Sequence, residues 1–168
     1  DLPTTLAAAE LDDAGAASYR FYIDGTSAPA LEPGDTASIG SGIFFTGGLG
    51  LVLQPMADTV LAMAKAVDDS TTVVFDINCR PKVVGDRATY LDRVNQLLKR
   101  ADIVKVSDDD LAYLSPGMGV LDAAHQLRAV GGAAVLVTAG ASTTSIVTGG
   151  RVTEVPVAPL DSPVVDSI

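Results

Sequence analysis

Tryptophan is absent, cysteine occurs once as Cys79, and histidine occurs once as His125. A lone thiol closes no internal disulfide, which fits a reducing compartment. One His and one Cys, far apart in sequence, argue against a His/Cys metal cluster. With no histidine set beside a nucleophile, a hydrolytic triad has no support either. Basic residues are scarce: 11 Lys and Arg stand against 21 Asp and Glu, for a formal net charge of −10. That balance argues against a nucleic-acid partner, because a phosphate backbone is bound through clustered Lys and Arg. It also disfavours an anionic membrane surface. A small anionic substrate stays open, since one or two placed cations suffice for it. Long apolar runs are missing as well. The longest, IFFTGGLGLVL (43–53), is broken by glycines and is too short to cross a bilayer. No basic-then-apolar segment opens the chain. Neither G-x-G-x-x-G nor a Walker motif is present, and there is no internal repeat or low-complexity tract. These absences lead to the expectation of a soluble, cytoplasmic protein with no nucleic-acid or membrane partner.

What remains is aliphatic. Of 168 residues, 48% are apolar and 19% charged, with only four Tyr and four Phe. This suits one globular domain with a core of Val, Leu, Ile and Ala. Residues 5–12 and 17–24 read as a hairpin around Ala14-Gly15, although Ala7 to Ala9 could equally start a helix. A Gly- and Pro-bearing connector follows at 25–38. Strands are expected at 39–45, 71–77, 102–106 and 133–140. Helices are expected at 55–69, 86–100, 107–114 and 120–130, and a second hairpin at 142–157 turns at Gly149-Gly150. Alternating strands and helices predict an α/β fold with a mostly parallel sheet. The nearly all-apolar strands VVF, IVKV and VLVT predict a sheet covered by helices on both faces. The domain reading is a single α/β unit over 1–168, with a lid hairpin and connector at 1–35 and the α/β core at 36–168.

In such sheets ligands bind at the carboxyl ends of the strands. Three clusters lie there. FDINCRP (75–81) runs a strand into Asp76, Asn78 and Arg80. An extended chain points Asn78 and Arg80 to one side, and the planar fork of Arg suits a carboxylate, a phosphate or paired hydroxyls. The bland alternative is a local Asp76–Arg80 pair that fixes the turn. KVSDDDL (105–111) places Lys105 at a strand end, before a helix N-terminus with Ser107 as its natural cap. Its three Asp residues either complement the helix dipole, or one of them stands near a magnesium ion through water. VTAGAS (137–142) ends a strand at Thr138 and then presents Gly140, which either lets a ligand approach the backbone or simply makes a turn.

In order and spacing, D-I-N-C-R-P, K-V-S-D-D-D-L, V-T-A-G and the closing V-V-D-S-I resemble the PfkB/ribokinase family of carbohydrate kinases. So does PTTLAAAELDDAGAASYRFYIDGTSA (3–28) near the start. The resemblance covers nearly all of the chain and is nearest the fructokinase and ketodeoxygluconate kinase branch. It implies a ribokinase-like fold with a β-hairpin lid, and ATP with Mg2+ as cofactors. It also implies a small sugar as substrate, and a homodimer formed through the lid hairpins. By position, Tyr22, Asn78 and Arg80 would contact the sugar. Lys105, Asp110, Thr138, Gly140 and Asp166 would border the nucleotide, with Asp110 reaching magnesium through water. Asp110 stands where the family usually has Glu. Ile23 stands where ketodeoxygluconate kinases tend to have Arg, which counts against an acidic sugar. Asp166, Ser167 and Ile168 match the start of the family's D-[ST]-x-G-A-G-D motif. The resemblance therefore places the catalytic base after Ile168 and none within these residues, so that the 168 residues alone are expected to be inactive. The competing readings are a non-catalytic nucleotide- or sugar-binding α/β module and a structural domain.

Overall fold

From Thr71 to Arg80, buried and half-buried residues alternate without a break. This is the period of two that gives a strand one core face and one outer face. The same alternation recurs in the neighbouring strands and defines the molecule. The structure, a computed structural model, describes residues 1–11, 17–35 and 40–159. Strands β1 (Leu6–Leu11) and β2 (Ala17–Tyr22) form an antiparallel ribbon of their own. Strands β3 (Ile43–Gly47), β4 (Thr72–Asp76), β5 (Ile103–Ser107) and β6 (Ala134–Thr138) run parallel, in that spatial order. Strands β7 (Thr144–Thr148) and β8 (Arg151–Val155) extend the sheet antiparallel. The helices are α1 (Met56–Ala66), α2 (Arg87–Leu98), α3 (Asp108–Leu114) and α4 (Val120–Gly131).

Local chemistry sets the helix ends. The Asp86 side chain caps α2 by accepting from the Thr89 N–H at 2.9 Å, which satisfies one of the free donors of the first turn. Lys99 and Arg100 sit where the macrodipole favours cations. Arg100 also reaches across to the carbonyls of Asp68 and Thr71 and pairs with Asp102 at 3.3 Å, so it ties the end of α2 to the start of β4. At the end of α4, Gly132 takes φ +76 in the left-handed region, where a side chain is disfavoured.

The core joins one face of the sheet to the helices. Val73, Phe75, Ile77, Val104, Val106, Val135, Val137 and Val147 pack in one cluster with Leu61, Ala64, Val94, Leu97, Leu111 and Ala124 of the four helices. Each large side chain buried there stabilises the fold by roughly 1.5–3 kcal/mol relative to an exposed one. The four described helices all contribute to that one cluster. The outer face carries Ile43, Phe45, Val74, Ile103 and Leu136, and Ile43 and Phe45 are 74% and 65% exposed. The ribbon approaches it at Phe45. The apolar runs reported hydrophobicity on both faces, but composition alone does not say what lies against the second one.

Strand β3 begins four residues later than expected, because its pairing with β4 starts at Ile43↔Thr72. The break expected at Ala14-Gly15 lies outside the described residues. The hairpin expected at 142–157 is formed by β7 and β8, and Gly149-Gly150 connects them.

Candidate functional site

The site is built where β3 and β4 end together. Beyond β3 the chain turns through Gly47 and Gly48. A Cβ on Gly47 would stand 1.6 Å from the carbonyl oxygen of Asp76, so only glycine fits between the two strands. Gly48, at φ +52, lies beside the Asn78 side chain and donates its N–H to the carbonyl of Ile77 at 3.3 Å. Asn78 itself takes φ +41, a conformation that Asn tolerates better than most side chains. This bend turns the segment after β4 toward the ribbon.

A cleft of about 470 Å³ results, within the size range of small-molecule sites. Asp76, Asn78 and Arg80 form one wall. Phe45 and the glycine-rich 47–50 turn form the floor. The ribbon contributes Ala7, Tyr19 and Phe21. Tyr19 and Phe21 are stacked, with centroids 6.1 Å apart and planes 23° apart. Arg80 donates from its Nη1 to the Cys79 carbonyl at 3.0 Å, and its Cζ lies 5.9 Å from the Tyr19 ring centroid. It does not pair with Asp76, so the bland reading of a locally fixed turn is not what the side chains do.

Asp76 faces Lys105 instead. The two are register partners on β4 and β5, with Nζ 3.3 Å from Oδ1. The contact is an ion pair without the alignment of a hydrogen bond, and among the described residues Oδ1 has no hydrogen-bond donor. Asp76 thus borders the cleft on one side and holds the Lys105 ammonium on the other. From sequence alone Asp76 stands at a strand end with no ligand contact expected of it.

Asp110 is 6% exposed. One of its oxygens accepts the Cys79 N–H at 2.7 Å, and the other accepts the Ser107 N–H at 3.0 Å. The Ser107 hydroxyl returns the favour to the Asp110 N–H at 3.0 Å, completing a capping box at α3. The carboxylate therefore fixes the loop that carries Asn78 and Arg80. Replacing Asp110 with Ala leaves two backbone donors unpaired. We expect a loss of about 2 kcal/mol or more, read as a melting temperature lower by roughly 4–8 °C. An unchanged melting temperature would remove this role.

Cys79 and Tyr90 are buried together, with Sγ and the phenol oxygen 3.2 Å apart. Burial, opposed in part by the Tyr90 hydrogen bond, pushes the Cys79 thiol up to about 12. Burial and the Cys79 contact also push the Tyr90 phenol upward. A thiol held neutral is a poor nucleophile, so native Cys79 should resist alkylation at pH 8 and react once the chain unfolds. The sign of the linkage follows. The folded state binds the Cys79 proton more tightly than the unfolded state does. Its stabilising contribution is present below pH 9 and is lost as pH rises from 9 toward 12. A pH series of chemical denaturation checks this, and a flat profile across that window would contradict it.

The other sequence-predicted residues fall as follows. Thr138 is half-buried and pairs in register with Ser107, so two hydroxyls end β5 and β6 side by side. Gly140 is exposed at φ +53 in the turn closed by the Ser142 N–H on the Ala139 carbonyl. Tyr22 is 52% exposed and does not line the cleft. Alternation along β2 turns Tyr19 and Phe21 to the cleft and places Tyr22 on the opposite face. That two-residue spacing in S-Y-R-F-Y was the available signal for both. Asp166 lies outside the described residues. Among the described residues no group of three or more His, Cys, Asp or Glu is arranged to hold a metal ion, and no helix is long and apolar enough to cross a membrane.

Comparison with known proteins places these features in a family. The sequence matches the description "pfkB family carbohydrate kinase" over residues 1–168. A fructokinase of Rhizobium leguminosarum bv. trifolii is 31% identical over 157 residues, covering 92% of this chain and 48% of the relative. Among solved structures, a fructokinase with bound ATP from Xylella fastidiosa superposes with a TM-score of 0.78 at 24% identity, covering 95% of this chain and 51% of that one. Aminoimidazole riboside kinase from Salmonella enterica, complexed with aminoimidazole riboside and an ATP analog, gives a TM-score of 0.77 at 24% identity, covering 86% and 49%. The fold is therefore ribokinase-like. The chain spans about half the length of the relatives it matches.

Proposed function

Because the chain belongs to the pfkB family of carbohydrate kinases, we propose that the full-length protein transfers the γ-phosphoryl group of ATP to a hydroxyl of a small sugar, with fructose as the first candidate. The name of the fructokinase relative supports the choice of sugar. The observation that carries the reading is the single cleft that brings Asn78 and Arg80 under the aromatic pair Tyr19 and Phe21, with Lys105 one strand away. Such a site can hold a polyhydroxylated ring between polar groups and an apolar cover.

Arg80 and Asn78 take the sugar hydroxyls in this reading. Lys105 meets the nucleotide phosphates by exchanging its Asp76 partner for a phosphate oxygen, and Thr138 and Gly140 border the nucleotide. Magnesium is usually held by one or two carboxylates together with phosphates and water. Asp110 is the carboxylate we assign to it, through water. Each oxygen of Asp110 accepts one N–H in the fold and retains a lone pair. Magnesium would neutralise phosphate charge there. Phosphoryl transfer of this kind depends mostly on positioning and on charge stabilisation. We place the reaction in the cytoplasm, where the lone, buried Cys79 stays reduced. We divide the chain into a lid hairpin with its connector over 1–35 and an α/β core over 36–168.

The test is a panel of ketoses, aldoses and nucleosides with ATP and magnesium. Sugar-dependent ADP release with fructose is expected, and no release with any acceptor would overturn the reading. Leu6 and Tyr22, register partners on the ribbon face away from the cleft, are both exposed, which supports a homodimer formed through the lid hairpins. Sedimentation should then give a dimer that Leu6→Glu dissociates, and a wild-type monomer would reject it.

A further inference from the structure

We propose that Tyr19 is the positioning residue for Arg80, so that seating the β1–β2 ribbon and aiming the arginine across the cleft are one event. The backbone before Arg80 is pinned, because the Cys79 N–H is held by the buried Asp110 carboxylate. The side chain beyond it is not. Its one hydrogen bond goes to the adjoining Cys79 carbonyl, and no carboxylate pairs with it among the described residues. What remains to orient the guanidinium is the Tyr19 ring at 5.9 Å. That ring is itself held by its stack on Phe21. A guanidinium lying over an aromatic face keeps its edge N–H groups free to donate, and those are the groups a sugar or phosphoryl oxygen would take. Two residues further on, Lys82 donates to the Ser18 hydroxyl. The 80–82 segment thus grips β2 at adjacent positions, and a displaced ribbon takes the ring away from the arginine.

The kinetic consequence rests on the kinase reading above, whereas the contact rests on geometry alone. A tyrosine that merely roofs the sugar would act independently of Arg80. A positioning tyrosine acts only through it. In the full-length protein, Tyr19→Leu is expected to lower kcat/KM for the sugar about three- to tenfold, with KM for ATP unchanged. Tyr19→Phe, which keeps the ring, should restore most of the loss. In an Arg80→Ala background, Tyr19→Leu should cost nothing further, since the coupling belongs to the pair. Equal losses from Tyr19→Leu with and without Arg80 would overturn the proposal.

The contact is read separately by NMR on the same proteins. The Arg80 Cδ protons should be shifted upfield by the ring in the wild type and in Tyr19→Phe, and should return to ordinary positions in Tyr19→Leu. An unchanged shift in Tyr19→Leu would overturn the inference whether or not any sugar is phosphorylated. A wild type that phosphorylates nothing while showing the shift would remove the kinase reading and leave the contact standing. Circular dichroism melting of each variant separates these outcomes from a failure to fold.

Discussion

Gly47→Ala should cost more stability than any other single-methyl addition along the strand that borders the cleft. The added carbon would meet the Asp76 carbonyl oxygen at 1.6 Å and the Asp76 carbonyl carbon at 2.6 Å. Both are backbone atoms of the neighbouring strand, so no rotamer change relieves the clash. β3 would have to move away from β4, breaking the end of a ladder that pairs Thr46 with Phe75 and Gly47 with Asp76. The expected loss is about 4 kcal/mol or more, in the range reserved for backbone clashes and core disruption. Melting should show a fall of roughly 8–16 °C or the loss of a cooperative transition. Gly34→Ala serves as the control. Nothing lies within 4 Å of its added carbon, so it should melt close to the wild type. Equal melting of Gly47→Ala and wild type would mean that β3 and β4 do not approach as described.

Arg80→Ala is expected to lower kcat/KM of the full-length protein by on the order of 10- to 100-fold, the effect of losing a charged hydrogen-bond donor to the sugar hydroxyls. Arg80→Lys keeps the charge and loses the planar fork, so its activity should fall between the two. Steady-state kinetics with saturating ATP checks both. The stability of Arg80→Ala should change little, because among the described residues the guanidinium makes only a bond to the adjacent carbonyl and a contact with a ring on the ribbon. A variant with wild-type kinetics would remove Arg80 from the site.

The order of elements was legible in the sequence because the strands are short apolar runs between helices with clear ends. Ser107 shows this best. Its position before D-D-D-L-A-Y-L was enough to predict the cap that the structure contains. The same stretch also shows where local reading stops. Asp110 could be read as complementing the helix dipole or as attending a metal. The sequence did not say that its carboxylate also holds the Cys79 N–H, 31 residues away. Asn78 and Arg80 were predicted to share a side from their spacing, and they do line one cleft. That Asp76 would turn to Lys105 and not to Arg80 depended on strand order, which places β5 beside β4. In the ribbon, aromatic content was plain but register was not. A shift of one residue exchanges the two faces of a strand; Tyr22 was singled out by the family resemblance of its segment, whereas Tyr19 and Phe21 line the cleft. For the second face of the sheet the sequence offered composition alone. Apolar side chains show that a surface can be covered, and only the fold shows what covers it.

The space between Tyr19, Phe21 and the Asp76–Arg80 segment is the proposed seat of the sugar. Crystals of the full-length protein grown with fructose and a non-hydrolysable ATP analogue test it most directly. Density for the sugar is expected in that cleft, with hydroxyls in hydrogen-bond reach of Asn78 and Arg80 and a phosphate near Lys105. Sugar bound elsewhere on the molecule, with the cleft filled by water, would contradict it.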